Sequence, residues 1–547
     1  MKDLHTEGEP ELKSCKTSFF HLVDNLWKGS EPPPDPLHRF LSLMRKMRAQ
    51  SFTEEALKPT NEELLYEQES ASQRCGKNAV VTAKRLIFFA SPPGSARWDD
   101  KVNLPTDHAL GYAILVYLTL PDNTIRTYLL EAIVRRPSVY DTSNGEFSVR
   151  PVTNYFVHCA REWVTALGPK GAREIAIVGS YFTQQNNLTH VCAHAALRMA
   201  MNSTPVFGLD KLTNQKINAI LDLDFTKPVN HIGRYKSGEA LIREPGLNNK
   251  EMCKVIEMLG ATVIQADFLR NSSVEFDHYT YPFMESGFPV IVGLDGFDPA
   301  KGKRIQHVVT ILGHTLNSDR WSPEARAGYG MLPRLPYIPA AEWTDHFIIN
   351  DDGYGMYETL QADAVRNILV PSKNTSLHAV FAMGVTPKVT VAGLTAETVA
   401  MITVQHLLKN ESKGGYWFKK LHGQNLVART LVQTREDYRN HLKSILDSAS
   451  VSSITHLRHL DLLSDSIWVT EITLPHLYTS NGRKLGDVVI QADVAAKAPP
   501  ETAFDAVQFV WLPGAFSREG RTLIFDWPII DHVPLIERTN VPPYERW

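Results

Sequence analysis

The chain has 547 residues, of which 43% are hydrophobic and 21% charged, and its formal net charge is −3. That length is too great for one hydrophobic core and calls for about three domains. The near-neutral balance excludes a general electrostatic attraction to nucleic acid or anionic membranes.

The N-terminal run MKDLHTEGEPELKSCK carries acidic residues and no apolar core, so no secretory leader is expected. Residues 1–75 read as a helical and irregular region, with helices over Arg39–Arg48 and Asn61–Ser70 around the EPPPDP turn. Residues 76–150 read as β-rich. Val80–Phe89, Ala109–Leu120 and Thr127–Val134 are dense in β-branched and aromatic residues, and turn signals at Ser91–Gly94 and Pro121–Asn123 separate them. Leu110 to Leu130 reads as a hairpin. Ala109–Leu120 is the longest strongly apolar stretch, far below the ~20 residues of a spanning helix, so no membrane contact is expected.

Apolar Phe156, Cys159, Ala160, Trp163 and Val164 predict a helix over Asn154–Leu167, with Cys159 a core thiol, followed by a short strand at Glu174–Val178. The polar run YFTQQNNLTH then stops at Cys192, and the Ala-, Leu- and Met-rich residues after it predict a helix. A cysteine at a helix N-terminus meets unpaired N–H groups and the positive end of the dipole, which favour a thiolate. Gln184, Gln185 and Asn186 just upstream offer amides for an oxyanion.

Asn248 with Glu251 forms a capping-box pattern for a helix that Gly260 stops, and Cys253 lies beside its apolar stripe. Three strand-like runs follow: Pro289–Leu294, His307–Leu312 and His346–Asn350. If the last two pair antiparallel, Asn350 and Asp351 come beside His307. Side chains alternate along a strand, so the two should not both face the imidazole, and which one does stays open. A nucleophile, a base and a group that orients the base complete a set for thiolate catalysis. The loop His314–Trp343, with Trp321, Tyr329, Pro323, Pro333, Pro336 and Pro339, is long enough to form a lip over a groove.

Other motifs fail on spacing. His190, Cys192 and His194 lack a fourth zinc ligand, and GFDPAKGKR at Gly296–Arg304 has the wrong glycine spacing for a phosphate loop. Asp351-Asp352 before Gly353 lacks the spacing of a calcium loop. No cofactor is expected. The five cysteines (Cys15, Cys75, Cys159, Cys192, Cys253) are scattered and odd in number, which argues against a disulfide framework and for a reducing, cytoplasmic setting.

From about Ala379 a further α+β region begins. Thr395 is expected to cap a helix to Leu408, Leu426–Gln433 to form a strand and Arg435–Leu446 a helix. Ile467–Leu474, Val488–Ala492, Gln508–Leu512 and Thr522–Phe525 read as strands, with Asn481-Gly482 in a loop. The region suits docking of a protein partner, and the terminal Trp527, Tyr544 and Trp547 suit packing back on the body.

Six pieces together, Gln185 before Cys192, AHAALRMAMN, GLNNKEMCKVIEMLGATV, SGFPVIVGL, QHVVTILGH and FIINDD, resemble the papain-like cysteine peptidases. The branch that includes the bacteriocin-processing, double-glycine-cleaving peptidases is nearest. The resemblance spans roughly residues 150 to 375 and implies an α+β catalytic domain over 151–375, with residues 376–547 as an accessory domain. It implies Cys192 as nucleophile, His307 as proton carrier, Asp351 or Asn350 as its orienter and Gln185 as oxyanion donor. The family's usual spacing falls on Asn186, and a glycine-rich setting around the cysteine is replaced by HVCAH. The expected activity is hydrolysis of a peptide or isopeptide bond in a protein or peptide substrate. The rival readings are a catalytically degenerate binding or scaffold protein and a transglutaminase-like acyltransferase or deamidase.

Overall fold

The computed structural model describes residues 11–536 apart from 30–31, 59–60, 92–107, 137, 142–147, 152–154, 168–172, 187–190, 205–209, 224–246, 271–273, 299–302, 317–325, 328–335, 366–376, 410, 450–457, 494–505, 519–521, 525–528 and 531. Asn154, His190, Trp321, Pro323, Tyr329, Pro333, Phe525, Trp527, Tyr544 and Trp547 therefore lie outside the described residues, as does part of the Gly296–Arg304 segment. The architecture is mixed α+β, organised on three large sheets whose pairings are almost all antiparallel.

The first sheet takes β1 (Glu11–Ser14), β2 (Ser51–Leu57), β3 (Val80–Phe89), β4 (Ala109–Thr119) and β5 (Ile125–Arg135). A separate hairpin follows, β6 (Ser138–Asp141) with β7 (Ser148–Pro151), then β8 (Tyr155–Val157), which joins the second sheet. β9 (Arg161–Leu167) and β10 (Arg173–Phe182) complete the first sheet in the order β1-β2-β3-β4-β5-β10-β9. The expected 110–130 hairpin is the β4–β5 pair. β4 reads ALGYAILVYLT and is buried on both faces, as a strand apolar at every position must be. Three helices pack with this sheet: α1 (Phe19–Leu26), α2 (Asp35–Lys46) and α3 (Glu62–Cys75), the last capped by the Asn61 side chain.

The predicted helix over Asn154–Leu167 is a correction: this stretch holds β8 and β9. Trp163, Thr165 and Leu167 alternate with more exposed neighbours, and pairing along all of β9 with β10 makes that two-residue period prevail over the helical one. Val164, expected in the apolar stripe, faces solvent, whereas Cys159 is buried.

The second sheet carries β11 (Thr262–Asp267), β12 (Val290–Asp298), β13 (Lys303–Thr315), β16 (His346–Asp351), β17 (Gly355–Gln361) and β18 (Leu377–Thr386) in the order β11-β18-β12-β13-β16-β17. β8 pairs with the far end of β13, where Gly313 is required: a Cβ there would sit 1.9 Å from the Phe156 carbonyl oxygen. One face is covered by α4 (Cys192–Ser203), α5 (Asn214–Leu221) and α6 (Asn249–Met258), the other by α7 (Phe276–Glu285). The Asn248–Glu251 capping box is formed at the start of α6.

The third sheet takes β14 (Arg326–Ala327) and β15 (Pro336–Pro339) from the long loop, then β19 (Val427–Thr434) and β20 (Ser466–Thr473). It continues through β22 (Gly486–Gln491), β23 (Val507–Leu512), β24 (Ala515–Arg518) and β25 (Thr522–Ile524), while β21 (Arg483–Lys484) pairs separately with β26 (Val533–Pro534). Only the β15–β19 contact among these pairings is parallel. Beside it lie α9 (Gly393–Leu408) and α11 (Arg435–Ser448), with α8 (Ala362–Val365) and α10 (Glu411–Leu421) between elements. Thr395 does not cap α9. The helix starts at Gly393, and Ala392 at the cap gives no side-chain bond. The Asn481-Gly482 step closes α12 (Pro475–Asn481), with Gly482 in the left-handed conformation that glycine favours at a helix end.

The sheets cross the segment limits read from the sequence. β1 and β2, from residues 1–75, and β9 and β10, beyond residue 150, share the first sheet, and β18 extends the second to Thr386. Among the described residues no helix is long and apolar enough to cross a membrane.

Candidate active site

Cys192 is the first residue of α4, and its thiol is free and half-buried. Val191 at the cap supplies no side-chain acceptor; the His194 N–H bonds the Val191 carbonyl at 2.9 Å, and the Cys192 and Ala193 N–H groups have no partner among the described residues. The helix is Ala-rich because it is wedged between two sheets. Ala195 and Met199 enter the core of the first sheet, while Ala193, Ala196, Leu197, Ala200 and Met201 enter that of the second. The Thr310 hydroxyl of β13 donates to the Ala196 carbonyl at 3.0 Å and ties helix to sheet one turn from Cys192.

His307 lies on β13, four residues into the strand. Its imidazole interacts with the Cys192 side chain, and its Nε2 stands 3.0 Å from Asp351 Oδ1 at the end of β16. The strands pair antiparallel with Thr310 opposite Asn350, which carries the end of β16 toward the start of β13. Burial disfavours the charged imidazole, but the bonds to Asp351 and Cys192 and the charges of Asp351 and Asp352 outweigh it and lift the His307 pKa to about 11.

Asp351 is the residue that faces the imidazole, and Asn350 is not. Phe347 and Ile349 enter the core on the α7 side and Asp351 continues their alternation, while Ile348 enters the core of the first sheet. Asn350 shares the side of Ile348. Its Nδ2 donates to the Tyr181 carbonyl at 3.0 Å and its Oδ1 accepts from the Tyr357 N–H at 3.0 Å. Asp351 Oδ1 also accepts from the N–H groups of Gly353 at 2.8 Å and Tyr354 at 3.2 Å, so the turn after β16 fixes the carboxylate.

The three upstream amides diverge. Gln184 is held by β5: its Oε1 accepts from the Leu129 N–H at 3.0 Å. Asn186 donates to Glu67 Oε2 at 2.8 Å in a buried contact shared with Tyr128. Gln185 is half-buried and its side chain has no hydrogen bond among the described residues, which leaves it as the amide not committed to the scaffold. Residues 187–190, between it and Cys192, lie outside the described residues.

One residue of the site escaped the sequence reading. Asp352 is fully buried, with Oδ1 3.7 Å from His307 Nε2. On a regular strand adjacent carboxylates point apart. Here β16 ends at Asp351 and Asp352 is the first residue of the turn that follows, so strand alternation no longer separates the two and both come near one imidazole. The signal was the Asp-Asp pair at a strand end before Gly353, read only against calcium-loop spacing.

Three groups bring possible metal ligands within 4.8 Å of one another: His307 with Asp351 and Asp352; His158 with Glu285 and His314; and Glu275, Asp277, His278 and Glu342. In the second, Arg429 already neutralises Glu285 at 2.7 Å; in the third, His278 is paired with Glu342 at 2.7 Å. Of the His190–Cys192–His194 cluster, His194 is buried against Asn218 Oδ1 at 2.9 Å, and burial lowers its pKa to about 4, so it is a neutral core side chain. No protein-family model and no curated protein matches the chain.

Proposed function

We propose that the chain is a thiol hydrolase of papain-like architecture acting on a peptide or isopeptide bond. The observation that carries this reading is the imidazole of His307, which interacts with the Cys192 side chain while its Nε2 stands 3.0 Å from Asp351 Oδ1. An imidazolium held above its ordinary pKa is the counter-ion a thiolate needs, and Cys192 adds the helix N-terminus to it.

In the reaction the Cys192 sulfur attacks the carbonyl carbon, forming a C–S bond and an oxyanion. The Cys192 N–H and the Gln185 amide are assigned to that oxyanion. As the C–N bond breaks, His307 gives its proton to the leaving amine and a thioester remains on Cys192. His307, now neutral, takes a proton from water, whose oxygen attacks the thioester. Collapse releases the carboxylic acid and restores the thiolate–imidazolium pair. An amine in place of water would give transfer, so the acceptor is set by access and not by this constellation.

The test is alkylation of Cys192 by iodoacetamide as a function of pH. Cys192 is expected to label at about pH 6, well below the free-thiol pKa of roughly 8.5, and faster than the other cysteines. His307→Ala should abolish that advantage. Labelling only at alkaline pH in the native protein would overturn the proposal and leave a binding protein.

A further inference from the structure

We propose that Asp352 is a positioning residue of this site, a second carboxylate that competes with Asp351 for the Nε2–H of His307 and so sets the strength of the imidazolium. The inference rests on the thiol-hydrolase reading for its catalytic meaning, but its geometry stands apart from it. The two carboxylates are adjacent in the chain and differently supplied. Asp351 Oδ1 has three donors: His307, the Gly353 N–H and the Tyr354 N–H. Asp352 is fully buried, and neither of its oxygens has a hydrogen-bond partner among the described residues.

A carboxylate without donors is among the costliest groups to bury, and an apolar side chain would fill the same space more cheaply. Its position 3.7 Å from His307 Nε2 points to a use for the proton it holds. The groups that face it are His307 on β13 and Asp351 on β16, with Cys192 on α4 reached through His307. Burial raises the Asp352 pKa most and the Asp351 charge adds to that, while His307 and the residue's own backbone N–H oppose them, bringing it to about 7.

Two states follow. With Asp352 neutral, His307 answers to Asp351 alone and can release its proton to a leaving amine. With Asp352 ionised, a second negative charge holds the imidazolium, and His307 becomes a poorer acid and a poorer source of neutral base. The residue thus links proton transfer at His307 to pH near neutrality.

The test is the titration of the His307 imidazole by NMR in the full chain with selectively labelled histidine, His307→Gln serving for assignment. Run in the Cys192→Ala background, it reads the coupling of Asp352 to His307 without any catalytic step. The His307 signal should show an inflection near pH 7, and Asp352→Asn should remove it and lower the imidazole's own midpoint by about one unit. Asp352→Ser provides a second, smaller side chain should the first variant fold poorly, and the same loss is expected. An inflection that persists in either folded variant, or none in the parent, overturns the proposal. Failure of Cys192 to alkylate at acid pH would instead count against the thiol-hydrolase reading alone.

Discussion

Asn350 and Asp351 are neighbours with unlike tasks. Asn350 bridges the Tyr181 carbonyl of β10 and the Tyr357 N–H of β17, and Tyr357 is buried with φ +53°, a conformation L-residues adopt at a cost. Asn350→Ala would strand that N–H and leave the carbonyl only the longer bond from the Ser203 hydroxyl at 3.5 Å. It should cost about 1–3 kcal/mol in denaturant unfolding and leave the pH profile of Cys192 labelling unchanged. Asp351→Ala should do the reverse at the site. It removes the imidazole's partner, and turnover on any substrate found should fall about 10²-fold or more, with the acid-side labelling of Cys192 reduced. A single-residue offset decides which variant does which, because β-strand side chains alternate.

At the scale of elements, α4 carries Cys192 and packs into the cores of both the first and the second sheet. It is buried almost throughout, and one charge lies inside it. Arg198 is fully buried and bonded to Glu63 of α3 at 2.8 Å, to Thr183 Oγ1 at 3.2 Å and to the Tyr181 hydroxyl. Lys211 joins the same cluster, paired with Glu63 and with Glu131 of β5. Burial would raise the Glu63 pKa, but Lys211 and Arg198 outweigh it and hold the carboxyl below its usual range. These contacts fasten the helix that carries Cys192 to the first sheet and its α3. Removing Arg198 leaves Glu63 and Glu131 to share the cation Lys211, so Arg198→Met should destabilise the protein by about 3 kcal/mol, read as a lower urea midpoint. A midpoint equal to the parent's would mean that the cluster contributes nothing net.

At the scale of the molecule, α7 joins the second sheet to the third. Arg429 of β19 reaches back to Glu285 at 2.7 Å and across to Glu471 of β20 at 2.6 Å, and the Val432 N–H donates to Ser286 Oγ at 2.8 Å. Burial pushes the Glu285 pKa up, but Arg429 and His314 overcome it and place the carboxyl well below its ordinary value of 4.5. A carboxyl depressed in the folded state contributes stability that is present above its unfolded pKa and lost as pH falls through the folded one. Acidification below about pH 4.5 should therefore weaken this junction progressively. In calorimetry Arg429→Met should unfold at lower temperature at neutral pH and show less further loss on acidification than the parent. Parallel pH profiles for the two proteins would dissociate Arg429 from the acid response.

The elements with one strong local pattern were legible in the chain: the β4–β5 hairpin around Pro121–Asn123, the Asn248–Glu251 box, the Ala-rich helix after Cys192 and most strands of the C-terminal region. Propensity, capping and alternation act within a few residues, so they survive without knowledge of the fold. The candidates Cys192, His307 and Asp351 could be named for the same reason, as residue types at the ends of such elements. Only tertiary structure decided the rest. Residues 155–167 carry both a helical and a two-residue period, and the partner strand β10 selected the second. Asp351 was chosen over Asn350 because its side chain turns toward His307, while that of Asn350 turns toward Tyr181 and Tyr357. Asp352 entered the site because the strand ends at Asp351 and the turn that follows brings its side chain near the same ring. Each of these depends on contacts between residues far apart in sequence, and local chemistry carries no information about them.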